Sequence, residues 1–246
     1  MKLTPFLLTV AALTLTTHAA TITWGPATNI NPAGGAASDL DVDITGTLVR
    51  AFNLGSTGVP GTTVHGVNFE AFGVPPGTPS VTIGNFTLAA GGGGLSAFSP
   101  SSLNPPFGTL SASYQDLLGR TAFPSGTFNP MTLTMNGLTV GQTYEFQWWS
   151  NLSLAAAGGS TASAGNSVTL LNNTTNTSGG LGQYAIGTFL ANSPSQVITF
   201  NGTAQNSGQS NLNGFQLRQL APAVPEPGTA LFGVALCAVA GLRRRR

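Results

Sequence analysis

Apolar and polar side chains alternate one by one through short stretches of this chain, and clusters of Gly, Pro and Asn interrupt each stretch. Successive side chains leave a strand on opposite sides, so this alternation marks strands with one face buried. It predicts strands over residues 45–53, 62–72, 80–89, 131–138, 143–150, 167–172, 183–191, 196–201 and 214–220. So many strands cannot share one sheet without leaving an apolar face in water, and the expected fold is all-β: a two-sheet antiparallel sandwich, jelly-roll-like, over residues 20–220. Asn136-Gly137, Asn201-Gly202 and Val140-Gly141 supply turn residues that tolerate positive φ. One helical turn is expected where Ser113 caps residues 114–118 and Gly119 ends them. Residues 31–38, 89–106 and 154–165 are expected to be loops, and no internal repeat points to a propeller or solenoid.

The two ends differ in composition from the middle. Lys2 precedes an apolar run from Leu3 to Leu15, and small residues follow, which is the order of a secretory signal peptide over residues 1–19. Cleavage after Ala19 places Thr17 at the third position back, and the mature chain then begins at Ala20. Between residues 20 and 223 the charges are Arg50, Arg120 and Arg218 against Asp39, Asp41, Asp43, Glu70, Asp116 and Glu145, a net −3 without a single lysine. That balance excludes a nucleic-acid partner, which requires a basic stripe. The one cysteine, Cys237, lies in the C-terminal apolar run, so the expected domain has neither a disulfide nor a thiol nucleophile.

The tail reads Val224, Pro225, Glu226, Pro227, Gly228, then an apolar run over 229–242, then Arg243, Arg244, Arg245 and Arg246. The prolines hold residues 221–228 as an extended linker that a processing enzyme can grip. The apolar run is expected to enter a bilayer as a transmembrane helix, with the arginines held on the cytoplasmic side. Fourteen residues are short for a full span, so the flanking side chains must reach the interface. These three parts, in this order, resemble the PEP-CTERM sorting signal of Gram-negative bacteria. The resemblance implies recognition by an exosortase, an intramembrane transpeptidase-like enzyme that cuts near Pro-Glu-Pro and passes its substrate to the cell surface. Export through the Sec translocon, cleavage by signal peptidase and passage through the inner membrane are implied with it. Residues 20–25, 141–149, 180–187 and 213–218 also resemble segments of PEP-CTERM surface proteins from planctomycete or verrucomicrobial genomes. The closing strand Asn213-Gly214-Phe215-Gln216-Leu217 is similar to the last strand of jelly-roll carbohydrate-binding modules.

Candidate chemistry is sparse. A Ser-His-Asp triad needs a histidine base, and the mature region offers only His65, expected on a strand beside Thr63, Val67 and Phe69. There is no Gly-x-Ser-x-Gly elbow and no His-Glu-x-x-His pair. Gly92-Gly93-Gly94-Leu95-Ser96-Ala97 fits a dinucleotide fingerprint formally, but no helix follows to hold a pyrophosphate. Glycoside hydrolysis needs two carboxylates, for which Glu70, Asp116 and Glu145 are the candidates. Asp39, Asp41 and Asp43 alternate, so an extended chain would set all three on one side as candidate calcium ligands, or as a solvated edge that discourages strand pairing. No other cofactor is expected.

Trp148 and Trp149 must face opposite ways. Tyr144, Phe146 and Trp148 are expected in the core, leaving Glu145, Gln147 and Trp149 on the outer face, where a sugar could stack on the indole and exchange hydrogen bonds with the amide and carboxylate. A covering loop, such as residues 154–165, would bury Trp149 instead. The sequence thus predicts an exported, non-enzymatic cell-surface or extracellular-matrix protein with a structural or adhesive sandwich. A carbohydrate-binding module around Trp149 comes second and a glycoside hydrolase third. Exopolysaccharide is the expected environmental partner.

Overall fold

The computed structural model describes residues 19–99, 102–126, 128–155, 158–203 and 208–221. Residues 1–18 of the expected signal peptide, the Pro-Glu-Pro motif, the apolar run and the arginines lie outside the described residues.

In chain order the strands are β1 (Thr23–Trp24), β2 (Thr28–Asn29), β3 (Thr47–Ser56), β4 (Thr62–Val64), β5 (Val67–Val74), β6 (Ser80–Ile83), β7 (Phe86–Ala90) and β8 (Leu95–Phe98). A short helix α1 (Ala112–Leu118) follows, then β9 (Thr121–Pro124), β10 (Met131–Asn136), β11 (Thr143–Ser150), β12 (Gly159–Ala164), β13 (Asn166–Leu171), β14 (Gln183–Leu190), β15 (Ser195–Gly202) and β16 (Gly214–Gln219). Single 3-10 turns occupy Ser38–Asp41 and Phe107–Thr109. The large sheet has the order β1-β14-β11-β16-β3-β5-β4, with β2 also on β14. The small sheet runs β13-β12-β15-β10-β7-β6, and β8 and β9 form a separate ribbon.

The all-β expectation holds, with antiparallel sheets packed through a common core. That core draws Phe52, Phe146, Trp148 and Phe215 from the large sheet and Phe86, Leu133, Ile198 and Phe200 from the small one. Phe86 lies 5.1 Å from Phe52 and 5.8 Å from Phe215 between ring centroids, and Trp148 meets Phe200 edge-on at 5.1 Å. Each such ring contributes about 1.5–3 kcal/mol on leaving water, so the aromatic seam between the sheets accounts for much of their cohesion.

Several boundaries differ from the sequence reading. The run 62–72 is two strands, because His65 (φ 50°) and Gly66 (φ 77°) make a two-residue turn that brings Val64 opposite Val67. The run 80–89 divides in the same way at Gly84-Asn85. One pairing is parallel: β3 runs alongside β5, Phe52 opposite Glu70, because β4 occupies the outer edge of the β4–β5 hairpin. The expected loop 154–165 contains β12, and 89–106 contains β8. Helix α1 begins two residues earlier than expected: Ser111, not Ser113, is the N-cap, accepting from the Tyr114 amide at 3.1 Å, and Gly119 ends it as predicted. Gly202 is not a turn residue; it lies in β15, where a Cβ would stand 2.1 Å from the Gly208 carbonyl oxygen.

The largest departure concerns the outer face of the large sheet, which is not open. A strap of residues 30–46 and the segment carrying α1 cover it and enclose a second apolar cluster. Ile30, Val42, Phe69, Phe107, Leu110, Tyr114, Leu117 and Trp149 belong to this cluster. The central strands of the large sheet, β11 and β16, are therefore buried on both faces.

Candidate functional site

Strand β11 presents the residues that the sequence singled out. Its alternation places Tyr144, Phe146 and Trp148 in the inter-sheet core and Glu145, Gln147 and Trp149 on the opposite side, as expected. The opposite side, however, is buried. Trp149 has 0% exposure, its ring 5.7 Å from Phe69 edge-on, and its indole N–H donates to the Tyr114 hydroxyl at 3.1 Å. A ring closed in this way cannot stack on a sugar, and Trp149 therefore offers no carbohydrate surface. The cover is α1 and the strap, not residues 154–165.

Beside Trp149 the face turns polar, and its side chains hold the strap by its backbone. Gln147 donates to the Asp41 carbonyl at 2.6 Å and accepts from the Asp43 amide at 3.0 Å. Gln216 on β16 donates to the Asp43 carbonyl at 2.8 Å and to Gln147 Oε1 at 2.6 Å. Arg218, two residues further, donates to the carbonyls of Ile44, Thr45 and Gly46 at 3.0, 2.6 and 3.1 Å. A strap that has no strand partner must satisfy these carbonyls some other way, and the sheet's side chains do so. Neither Gln216 nor Arg218 was singled out from the sequence. Their signal was there, since a cation two positions from a glutamine on an alternating strand demands acceptors on that face.

Glu145 sits beside this network with the Asp43 carboxylate as its acidic neighbour, and its buried Oε1 has no partner among the described residues. Burial, then the neighbouring Asp43 carboxylate, push the Glu145 carboxyl up to about 8, while the Arg218 charge opposes them. Burial also acts upward on Asp43, but hydrogen bonds from Glu145, Thr45 and the Ile44 amide outweigh it and hold that carboxyl below its ordinary value. Both effects favour the proton on Glu145 and the charge on Asp43, and the two carboxyls titrate as a coupled pair.

The remaining candidates do not converge. Residues Ser38–Asp41 form a 3-10 turn, so Asp39, Asp41 and Asp43 do not project to one side as an extended chain would require. Asp39 accepts from the Ser111 hydroxyl at 2.5 Å, Asp41 from the Asn31 amide at 2.8 Å and the Tyr114 hydroxyl at 3.2 Å, and Asp43 from Thr45. Burial raises the Asp41 carboxyl against those two hydrogen bonds. No group of three metal-ligating side chains is gathered among the described residues. Glu70 is paired with Arg50, and Asp116 with Arg120 at 3.3 Å. Each of the three carboxylates considered for glycoside hydrolysis therefore has a different neighbour. His65 is a turn residue rather than a strand residue, its ring Nδ1 2.8 Å from the Val42 carbonyl oxygen. Gly93 and Gly94 (φ 68° and 82°) turn the chain against Ser125 and Gly77 ahead of β8, with no helix following.

No protein-family model matches the chain, and no curated protein matches it significantly. Among solved structures, the plant receptor-like kinase ANX1 aligns at 10% identity and a TM-score of 0.43, over 71% of this chain and 49% of that one. This chain thus spans about half that protein's length. A structure of carbohydrate-binding modules from the β-sandwich superfamily aligns at 13% identity and a TM-score of 0.16, over 79% of this chain and 97% of that one.

Proposed function

We propose that this chain is an exported bacterial envelope protein, handed by an exosortase to the cell surface or extracellular matrix, where a jelly-roll-like sandwich does structural or adhesive work. The observation that carries the reading is the order of the tail: Val224-Pro225-Glu226-Pro227-Gly228, the apolar run 229–242, then Arg243 to Arg246. Removal of residues 1–19 as a signal peptide fits the packing at the start of the fold. Ala20 is buried, its carbonyl accepts from Gln196 at 3.0 Å, and Ile22 donates to the Ala164 carbonyl at 2.9 Å. A non-catalytic role is supported by the dispersal of His65, Glu70, Asp116 and Glu145, each held by a separate neighbour.

Before processing, the apolar run anchors the protein in the inner membrane with its arginines inside. The test is mass spectrometry of the mature C-terminus in the native host and in a strain lacking the exosortase. Cleavage near Pro225-Glu226-Pro227 in the first and an intact tail in the second are expected. Identical C-termini that retain all four arginines would overturn the proposal.

A further inference from the structure

Both ends of the sandwich domain leave it at the same place. Strand β1 runs antiparallel to β14, Thr23 opposite Thr188, so Ala20 lies toward the finish of β14, and its carbonyl accepts from Gln196 near the start of β15. Strand β16 finishes there as well. Gln219 stands opposite Tyr144 at the start of β11, and the Leu220 amide donates to the Thr143 carbonyl at 3.0 Å.

The chemistry of this end is distinctive. Its loops are residues 44–47, 84–85, 136–142, 191–195 and 219–221, and none of them holds an Asp, Glu, Lys, Arg or His. Val140, between β10 and β11, and Leu190, at the last position of β14, are each 58% exposed. They are neighbours, since the Gly141 amide donates to the Ala191 carbonyl at 2.7 Å and Leu190 pairs with Thr143. Ile44, 54% exposed, approaches from the strap two residues before Gly46, which packs on the Gln219 carbonyl and Leu220. The far end carries the Asp116–Arg120 pair, for Asn213, just ahead of β16, donates to the Arg120 carbonyl.

Exposure alone does not choose an occupant, because Leu103 is 72% exposed at the far end, next to the Ser102 amide that donates to Ser153 beyond β11. The apolar runs at the two ends of the sequence do. One run ends at Leu15, and the five residues from there to Ala20 reach at most about 18 Å. The other begins at Thr229, which the eight residues beyond Ala221 reach over at most about 29 Å. A domain of this length is about 40 Å across, longer than either tether. Its far end therefore cannot turn to a bilayer that holds these runs. The end that does face the bilayer bears no ion to desolvate, and its exposed Val, Leu and Ile side chains gain by leaving water.

We propose that before processing this end of the sandwich lies on the membrane interface, with Val140, Leu190 and Ile44 entering the boundary between zwitterionic headgroups and acyl chains. The inference rests on the reading of the two terminal runs as membrane-entering segments, and adds to it the face that meets the lipid.

The test uses the full chain with Cys237→Ala and one introduced cysteine carrying an environment-sensitive fluorophore. It is reconstituted into phosphatidylcholine vesicles containing a lipid spin-labelled near its headgroup. Flotation with the vesicles reports entry of the terminal runs, and quenching of the fluorophore reports the contact. Fluorophores at Val140→Cys and Leu190→Cys are expected to be quenched several-fold more strongly than one at Leu103→Cys, at low and high salt alike. Val140 lies outside the strands and keeps the test decisive if Leu190→Cys fails to fold, which circular dichroism reveals. Protein that floats yet is quenched equally at all three positions overturns the inference and leaves the sorting reading standing. Protein that stays below the vesicles overturns both. Quenching at Val140 that appears only when phosphatidylglycerol is added overturns the uncharged nature of the contact.

Discussion

Replacing Glu145 by glutamine should change how stability depends on pH more than it changes stability itself. In the folded chain the Glu145 carboxyl titrates near 8, raised from 4.5 by burial and by Asp43. The folded state therefore holds a proton that the unfolded state releases above its own, lower pKa. Stability from this group is full below about pH 4.5, is lost as pH rises through the folded value, and is constant again above it. Each decade of pH is worth about 1.4 kcal/mol, so ionising Glu145 in place costs at most about 5 kcal/mol. The charge of Arg218 and any shift of the strap reduce that figure. Asp43 acts with the opposite sign but at lower pH: its depressed carboxyl contributes stability present above its unfolded pKa, lost in acid as the carboxyl protonates. Glutamine can still donate to Asp43 yet never ionises. Urea denaturation from pH 5 to 9 should show the wild type weakening with rising pH while Glu145→Gln stays nearly level, the gap reaching several kcal/mol at pH 9. The groups facing Glu145 are Asp43 on the strap, Arg218 across on β16 and Thr188 opposite on β14, so no other carboxylate in direct contact supplies this slope. Parallel curves for the two proteins would refute the shared-proton account.

Truncating Trp149 to alanine empties the second core and strips the Tyr114 hydroxyl of its donor, at a cost of about 3–5 kcal/mol in denaturant unfolding. A Trp149→Ala protein as stable as wild type would show that the strap does not close this face. Gly66→Ala meets no neighbour within 4 Å, so its cost should be purely conformational, about 1–2 kcal/mol, read from the thermal midpoint. Asn213 donates to the carbonyls of Leu118, Arg120 and Asn151 at 2.8, 2.6 and 3.0 Å. Asn213→Asp should therefore be strongly destabilised at neutral pH and recover in part as pH falls toward about 4, because burial against three carbonyl oxygens raises the folded-state carboxyl above its unfolded value. Equal loss at both pH values would indicate a packing defect instead.

The inner faces of the strands were legible because they obey a local rule. Tyr144, Phe146 and Trp148 recur at every second position, and all three are buried between the sheets. The outer face was misread because its cover carries no periodicity. The strap is Gly-, Ala- and Asp-rich, and its contacts with β11 and β16 join residues more than a hundred positions apart. Glu145 and Gln147 looked like a solvated surface for the same reason. Strand β12 was invisible because Gly, Ser, Thr and Ala give no hydrophobic contrast. It is held by pairing with β13 and β15, with only the small Ala162 reaching the inter-sheet core. His65 was assigned to a strand because its neighbours alternate, whereas only the positive φ at His65 and Gly66 reveals the turn.

Covering both faces of the large sheet has a consequence for where recognition can occur. Gln147, Gln216 and Arg218 are committed to carbonyls of the strap, and removing any of them would strand buried backbone acceptors at about 1–3 kcal/mol each. Donors spent on the strap in this way are closed to a ligand unless those bonds first break. The end of the sandwich where β16 finishes is less fully committed. There Arg50 is paired with Glu70 through Nη1, and Asn85 and Asn136 stand exposed beside the turns at Gly84 and Gly137. The last described residues of the chain also leave from this end, Leu220 donating to the Thr143 carbonyl at 3.0 Å beside Tyr144. Contact chemistry in this fold is therefore expected at the rim where the sheets separate, with the strapped face acting as the rigid support that sets the rim's shape.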